Sequence, residues 1–404
     1  MKLSPRYAIL TVTLALQTVA SIFQQGVGAI QPMIAHSLHL DHRGVGLIVA
    51  ALAAGSATFA AIAGIAVDYF GERSVLLWSG IAMGVTLCAA GAVAHLAWLT
   101  IWLFLFGMAY GTCMPSGGRA ILLWFTQDRG FAMAIRQAGV PLGGVLGSLL
   151  LPVIALHWGY QAAIVTSGIV CVVVTVIGVS YYHSPAEHAQ TKQRPIADVL
   201  RGVLAIVSTR SHIYFNITCC ALVAAQYTLL SFLAIALITQ KHAPLGIAVM
   251  AMVVFQVGSV AGRLAWGTVS DRLFSGDRVA PMIVISVITC AALLWLARPG
   301  AETTAISLAI AAVLGFSAAS WNGLWATAQA EMGGHQLAGS SLGASLTVIQ
   351  IVGGIVPPLF GAVVDRTNFT VAWELLAVLV ALAIVPALMA RRHLYTMNRT
   401  ATQT

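Results

Sequence analysis

Polar and charged positions cut the chain into long apolar runs. Twelve stretches of ~20 largely apolar residues, the length that crosses a bilayer as a helix, centre near residues 19, 55, 85, 111, 143, 171, 225, 257, 289, 316, 351 and 380. The fifth and eleventh are rich in glycine, and Pro357-Pro358 interrupts the eleventh. No alternating apolar and polar strands of barrel length occur, which argues against a membrane β-barrel. The first run follows Met1-Lys2-Leu3-Ser4-Pro5-Arg6 and continues to about Ile30 with no small-residue cleavage site after it. It is too long for the apolar core of a secretion signal and reads as the first spanning helix.

One long polar stretch breaks the series, with Pro185, Glu187, Lys192, Arg194, Pro195, Asp198 and Arg201 between His183 and Arg210. The pattern therefore predicts an all-α membrane protein of twelve transmembrane helices in two pseudo-symmetric six-helix bundles. The N-terminal bundle spans residues 1–182, a linker 183–210, the C-terminal bundle 211–391 and a tail 392–404. The halves echo each other. Gly64-x-x-x-Asp68 recurs as Gly267-x-x-x-Asp271, 203 residues on; Gly107 pairs with Gly315, 208 on; Gly143-Gly144 pairs with Gly353-Gly354, 210 on. A near-constant offset is the mark of a duplicated unit, and such repeats hold a binding site near the membrane midplane between them.

Composition narrows the class. Hydrophobic residues make up 59% of the 404 and charged residues 8%, against roughly 25% charged in a soluble domain, and mean hydropathy is +0.91. Thirty-two charged side chains cannot cover a soluble protein of this size, which excludes a soluble enzyme, a nucleic-acid binder and a disordered chain. The net charge of +8 reports orientation. With the N-terminus inside, thirteen of the basic residues, among them Arg73, Arg129, Arg272, Arg278 and Arg391, fall on the cytoplasmic side. Arg43, Lys241, Arg298 and Arg366 fall on the other. Both termini and the linker are expected in the cytoplasm, in a bacterial inner membrane or another plasma membrane. All six cysteines lie in apolar stretches without metal-ligand spacing. His36, His39 and His42 cluster in a short external loop and read as solvated. No phosphate-binding glycine loop occurs, and no cofactor, metal or catalytic nucleophile–base pair is expected.

Two cytoplasmic loops carry the strongest motifs: Gly64-Ile-Ala-Val-Asp68-Tyr-Phe-Gly71-Glu-Arg73 and Gly267-Thr-Val-Ser-Asp271-Arg272, with Arg278 beyond. Glycine permits close helix packing, the aspartate suits a neighbouring helix N-terminus, and the arginine can close an ion-pair latch. Both copies resemble the signature loop of the major facilitator superfamily, and the resemblance covers the whole chain. It implies that fold, with gating roles for Asp68, Arg73, Asp271 and Arg272 and no contact of that loop with cargo. The segment Ala138-Gly139-Val140-Pro141-Leu142-Gly143-Gly144 is similar in part to the Gly-Pro-rich antiporter motif of the family, Val140 standing inside the expected Gly-Pro pair. Close packing of a slightly kinked helix also accounts for it.

Three arginines fall inside spans, where a charge costs at least ~2.5–3.5 kcal/mol on insertion scales. Arg119 lies in the fourth span on one face with Thr112 and Ser116. Arg136 lies in the fifth, on one face with Gly143 and Gly147. Arg263 lies in the eighth, in a polar stripe with Gln256 and Ser259. All twelve Asp and Glu fall at loops or span ends, so no carboxylate within a span is expected to balance these charges. An anionic cargo would supply the partner, and arginine can grip a planar carboxylate with two parallel bonds. Gly262-Arg263-x-x-x-Gly267 resembles the eighth helix of monocarboxylate and oxalate transporters, and that resemblance implies that Arg263 holds the substrate carboxylate. First, seventh and tenth helices line the cavity in the family, which points to Gln25, Tyr227 and Asn322. The expected protein is a monomeric secondary transporter for a small organic anion, a mono- or dicarboxylate, working by alternating access. It would be coupled to a proton or exchange its cargo for a second anion. An efflux pump for hydrophobic or amphipathic compounds is the alternative, and a membrane sensor that no longer transports a more distant one.

Overall fold

A computed structural model describes residues 5–125, 129–182, 208–300 and 302–401. Among these the chain forms thirteen helical elements and no strand: α1 (Pro5–Leu38), α2 (His42–Phe70), α3 (Glu72–Gly91), α4 (Leu96–Tyr110), α5 (Cys113–Trp124), α6 (Arg129–Ser180), α7 (Arg210–Thr239), α8 (Leu245–Leu273), α9 (Val279–Ala297), α10 (Thr304–Ala318), α11 (Asn322–Arg366), α12 (Phe369–Leu382) and α13 (Ile384–Ala401). Eleven stretches among the described residues are long and apolar enough to cross a membrane. One of them, Ile135–Ser180, is 46 residues long, or ~69 Å if straight, over twice the ~30 Å hydrocarbon thickness.

That stretch folds back. Gly159 leaves helical geometry at φ +84°, ψ 159°, a left-handed conformation that glycine adopts without penalty. A methyl group on Gly139 would lie 3.1 Å from the Leu14 carbonyl of α1, and one on Gly178 would lie 3.4 Å from Val12 of the same helix. A straight helix would hold those two glycines ~58 Å apart. The 46 residues thus supply the fifth and sixth crossings that the sequence separates. α11 also reverses: Ser341 donates to Gln329 at 3.1 Å, and Trp325 donates to Ser345 at 2.8 Å. The expected linker lies outside the described residues up to position 207.

Glycines set the closest helix pairs. A methyl group on Gly143 or Gly147 would overlap the carbonyl of Thr18 or Ile22, so α6 and α1 run backbone to backbone, the small-residue packing that membranes favour where lipid gives no hydrophobic drive between helices. Large apolar side chains point outward instead, Trp78, Trp98, Trp158 and Leu264 among them, as a lipid solvent requires. The halves meet where α1 packs on α7, α6 on α8, and α2 on α11.

Candidate functional site

Two breaks in the spanning helices organise the polar interior. The fourth span breaks at Gly111–Thr112 between α4 and α5, and the tenth at Ala319–Trp321 between α10 and α11. Each break leaves carbonyls without intrahelical partners, and each receives an arginine from another helix. Arg136 of α6 is 1% exposed and donates to the Cys113 carbonyl and to Gln17 Oε1 at 2.9 Å. Gly117 makes room for it, since a methyl there would strike the guanidinium. Gln17 Nε2 in turn reaches Ser21 Oγ at 3.3 Å and the Tyr110 hydroxyl at 3.4 Å, and those two hydroxyls stand 3.1 Å apart.

Arg263 of α8 is held far more loosely. Its Nη2 lies 3.5 Å from both the Ala319 carbonyl and Asn322 Oδ1; its buried Nε, like the Nε of Arg136, makes no hydrogen bond to a described residue. Charge-assisted N–H···O bonds are normally 2.7–2.9 Å long. Tyr110 from one half and Tyr227 from the other lie within electrostatic reach of this guanidinium. Around it stand paired amides and hydroxyls. Asn322 Nδ2 donates to Gln226 Oε1 at 3.3 Å. Tyr227 donates to Gln350 at 2.7 Å. Gln25 donates to Gln24 at 2.5 Å, and Gln256 donates across the seam to the Gln25 carbonyl at 3.0 Å.

Of the residues expected from sequence, Arg263, Asn322, Tyr227 and Gln25 therefore come together, and Arg136 joins them through Gln17 and Tyr110. Arg119 does not join. Its Nε is 3.6 Å from Glu72 Oε2, and Glu72, 4% exposed, also accepts from the Tyr182 hydroxyl at 3.1 Å. The expectation that no buried carboxylate serves these arginines is thus corrected for Arg119. Glu72 opens α3 just after Gly71, favoured there by the helix dipole, and the fold closes over it. Tyr110, Ser21 and Glu72 escape sequence reasoning. Tyr110 gives one weak signal, its place directly before a Gly-Thr break.

At the linker end, Asp271 pairs with Arg278, which also reaches Glu331 at 3.3 Å and Ser270 at 3.0 Å. Arg272, expected beside Asp271 in the latch, is exposed, as is Arg73. The Asp68 side chain, with Asp128 and Arg129, lies outside the described residues. At the opposite end the halves are bonded directly. Asp365 of α11 accepts from the His42 amide at 3.1 Å, from the Arg43 amide at 3.0 Å and from His42 Nδ1 at 2.6 Å. His42, read from sequence as solvated, instead opens α2 against the other half. No group of three or more potential metal ligands occurs among the described residues.

Membrane-crossing helices in two halves, meeting around polar side chains contributed by both, define a membrane transport protein and not an enzyme. The chain belongs to the Major Facilitator Superfamily, whose family model matches residues 13–358. It is 29% identical over 386 residues to the uncharacterized MFS-type transporter Rv2994 of Mycobacterium tuberculosis, an alignment covering 94% of this chain and 85% of that one. Over 200 residues it is 24% identical to the probable sulfoacetate transporter SauU of Cupriavidus necator, covering 49% of this chain and 46% of the relative. Among solved structures, a bacterial homolog of the human lysosomal transporter Spinster superposes with a TM-score of 0.75 at 15% identity, covering 97% of this chain and 98% of that one.

Proposed function

We propose that the protein carries a small organic anion, a mono- or dicarboxylate, by alternating access, with Arg263 as its anchor. The observation that carries this reading is the loose bonding of that guanidinium: the two contacts of its Nη2 are each 3.5 Å long, where Arg136 reaches Gln17 at 2.9 Å. A half-buried charge held by such long contacts is incompletely compensated for lost hydration, and a carboxylate laid against its edge would replace long contacts with two short charge-assisted bonds. The name of the sulfoacetate relative supports an anionic cargo. Asn322 and Tyr227 would hold the cargo from the C-terminal half, and Gln25 and Tyr110 from the N-terminal half. Cargo that bridges the two would accompany the rocking of one half against the other. Arg119, neutralised by Glu72, and Arg136, tied to α5 and α1, shape the N-terminal wall and leave the anion to Arg263.

The distribution of Lys and Arg supports cytoplasmic termini, in an inner membrane for a bacterial cell, and one chain contains both halves of the site, so a monomer suffices. Proton symport and exchange for a second anion both fit this site, and a pH gradient applied to proteoliposomes separates them. The test of the main reading is uptake of radiolabelled mono- and dicarboxylates by proteoliposomes holding the purified chain. Saturable uptake, abolished by Arg263→Ala and partly kept by Arg263→Lys, is expected. Transport of hydrophobic dyes alone, indifferent to Arg263, would establish the efflux reading instead.

A further inference from the structure

The end of the molecule opposite the linker carries four basic residues, and two have work within the protein. Lys241, 2% exposed, bonds to Glu302 Oε1 and to the Arg298 carbonyl, both at 2.5 Å. Arg298 lies over the Trp295 ring at 4.7 Å. Arg43 and Arg366 are different. Both are exposed, and neither side chain makes an ion pair with a described residue, although two carboxylates stand close by. Asp41 accepts from the Gly44 amide at 2.7 Å, and Asp365 is occupied by the His42 ring and the amides of His42 and Arg43.

These two guanidiniums border one groove. It runs along the outer seam of α2 and α11, has a volume of about 430 Å³, and is walled below the arginines by Leu47, Ile355, Pro358, Leu359 and Ala362. The register explains the pairing. His42 and Asp365 face each other across the seam. Arg43 and Arg366 each follow one position later, turned ~100° about their helices, which carries both onto the groove. Leu359 is 59% and Ile355 53% exposed, so the walls are surfaces that only acyl chains would wet. Two planar cations bordering an otherwise apolar slot match a phosphodiester with its chains attached.

We propose that this groove binds one anionic phospholipid, its phosphate between Arg43 and Arg366 and an acyl chain along Leu47, Ile355 and Leu359. One residue of the pair belongs to each half. The bound lipid therefore clamps α2 to α11 beside the His42–Asp365 contact and favours the state in which this end is shut.

The test uses the full-length purified chain in detergent, read by thermal unfolding and by native mass spectrometry, with phosphatidylglycerol or phosphatidylcholine of identical chains added. Phosphatidylglycerol is expected to raise the unfolding temperature and to be retained as a single adduct, at a half-saturating concentration at least 5-fold below that of phosphatidylcholine. Arg43→Gln/Arg366→Gln should erase that preference. Leu359→Trp, which fills the slot and keeps both charges, should weaken retention of either lipid, and it carries the test if the double variant folds poorly. Equal response to both lipids, an undiminished preference in Arg43→Gln/Arg366→Gln, unchanged retention of both lipids by Leu359→Trp, or the same stabilisation by water-soluble glycerol 3-phosphate would overturn the proposal. The readout involves no cargo, so it stands apart from the anion-transport reading.

Discussion

Arg136 and Arg263 occupy matching situations in the two halves, and their bonding differs. Each guanidinium comes from a neighbouring helix to a break in a spanning helix, at Gly111–Thr112 for the first and Ala319–Trp321 for the second. Arg136 is sealed in, with the Cys113 carbonyl and the Gln17 amide oxygen as acceptors and Gly117 hollowed to fit it. Arg263 touches equivalent kinds of acceptor, a carbonyl and a side-chain amide, at 3.5 Å each; Nε does not distinguish the two guanidiniums. Duplication supplied two broken helices, and the halves have put the same device to different ends. A tightly bonded buried cation is suited to hold a break rigid; a loosely bonded one is suited to the anchoring role proposed for Arg263.

Removing Arg263 should break the comparison most strongly. Arg263→Ala is expected to lower carboxylate uptake by about 100-fold, or ~2.7 kcal/mol, in line with loss of one or two charge-assisted bonds. Its unfolding temperature in detergent without cargo should hold nearly steady, because the half-buried side chain makes only long contacts that the folded state loses little by giving up. Arg263→Lys keeps the charge and loses the planar fork, so intermediate uptake is expected. Full uptake by the alanine variant would place the anion elsewhere.

Arg136→Ala should show the opposite signature. Loss of bonds to a charged donor costs about 1.5–3 kcal/mol each, and the vacated space beside Gly117 adds to that. A clear fall in unfolding temperature is expected, with reduced transport following from lost structure. Stability unchanged with uptake abolished would make Arg136 a ligand group and collapse the contrast between the halves.

Glu72→Gln is the next smaller effect. It removes the carboxylate from beside Arg119 without changing side-chain size, and about 1–2 kcal/mol of stability should go with it, since the Tyr182 hydroxyl also loses a charged acceptor. The same variant measures what sequence reasoning could not see. Twelve crossings are legible because bilayer thickness is a local constraint on run length, and even the reversal at Gly159 leaves the fifth and sixth runs separately recognisable. Arg263, like Arg119 and Arg136, is legible as a charge within an apolar run. Glu72 is not: it sits at a span end by position, and its burial depends on Arg119 of α5 and Tyr182 after α6, 47 and 110 positions away. Likewise His42 reads as a loop histidine until α11 returns Asp365 to it across 323 positions. Long-range pairing decides which charges remain open to a ligand, and run lengths and motif spacing carry no record of it.

The smallest expected effect is also the one that joins the two arginines. Tyr110 shares its hydroxyl with Ser21 and Gln17, the residue that Arg136 bonds, and its ring lies within electrostatic reach of Arg263. Tyr110→Phe removes one oxygen and leaves the ring stacked on Phe106, whose centroid is 6.1 Å away. A neutral hydrogen bond contributes about 0.5–1.5 kcal/mol, so the apparent KM for carboxylate should rise about 3- to 10-fold while the unfolding temperature barely moves. The sharper measurement is a double-mutant cycle of Tyr110→Phe with Arg136→Lys. If the polar chain through Gln17 transmits the position of Arg136 to the cavity, the two changes will be less than additive in KM. Strict additivity would mean that Tyr110 meets the cargo independently, and that the rigid half and the open half share a wall without sharing a mechanism.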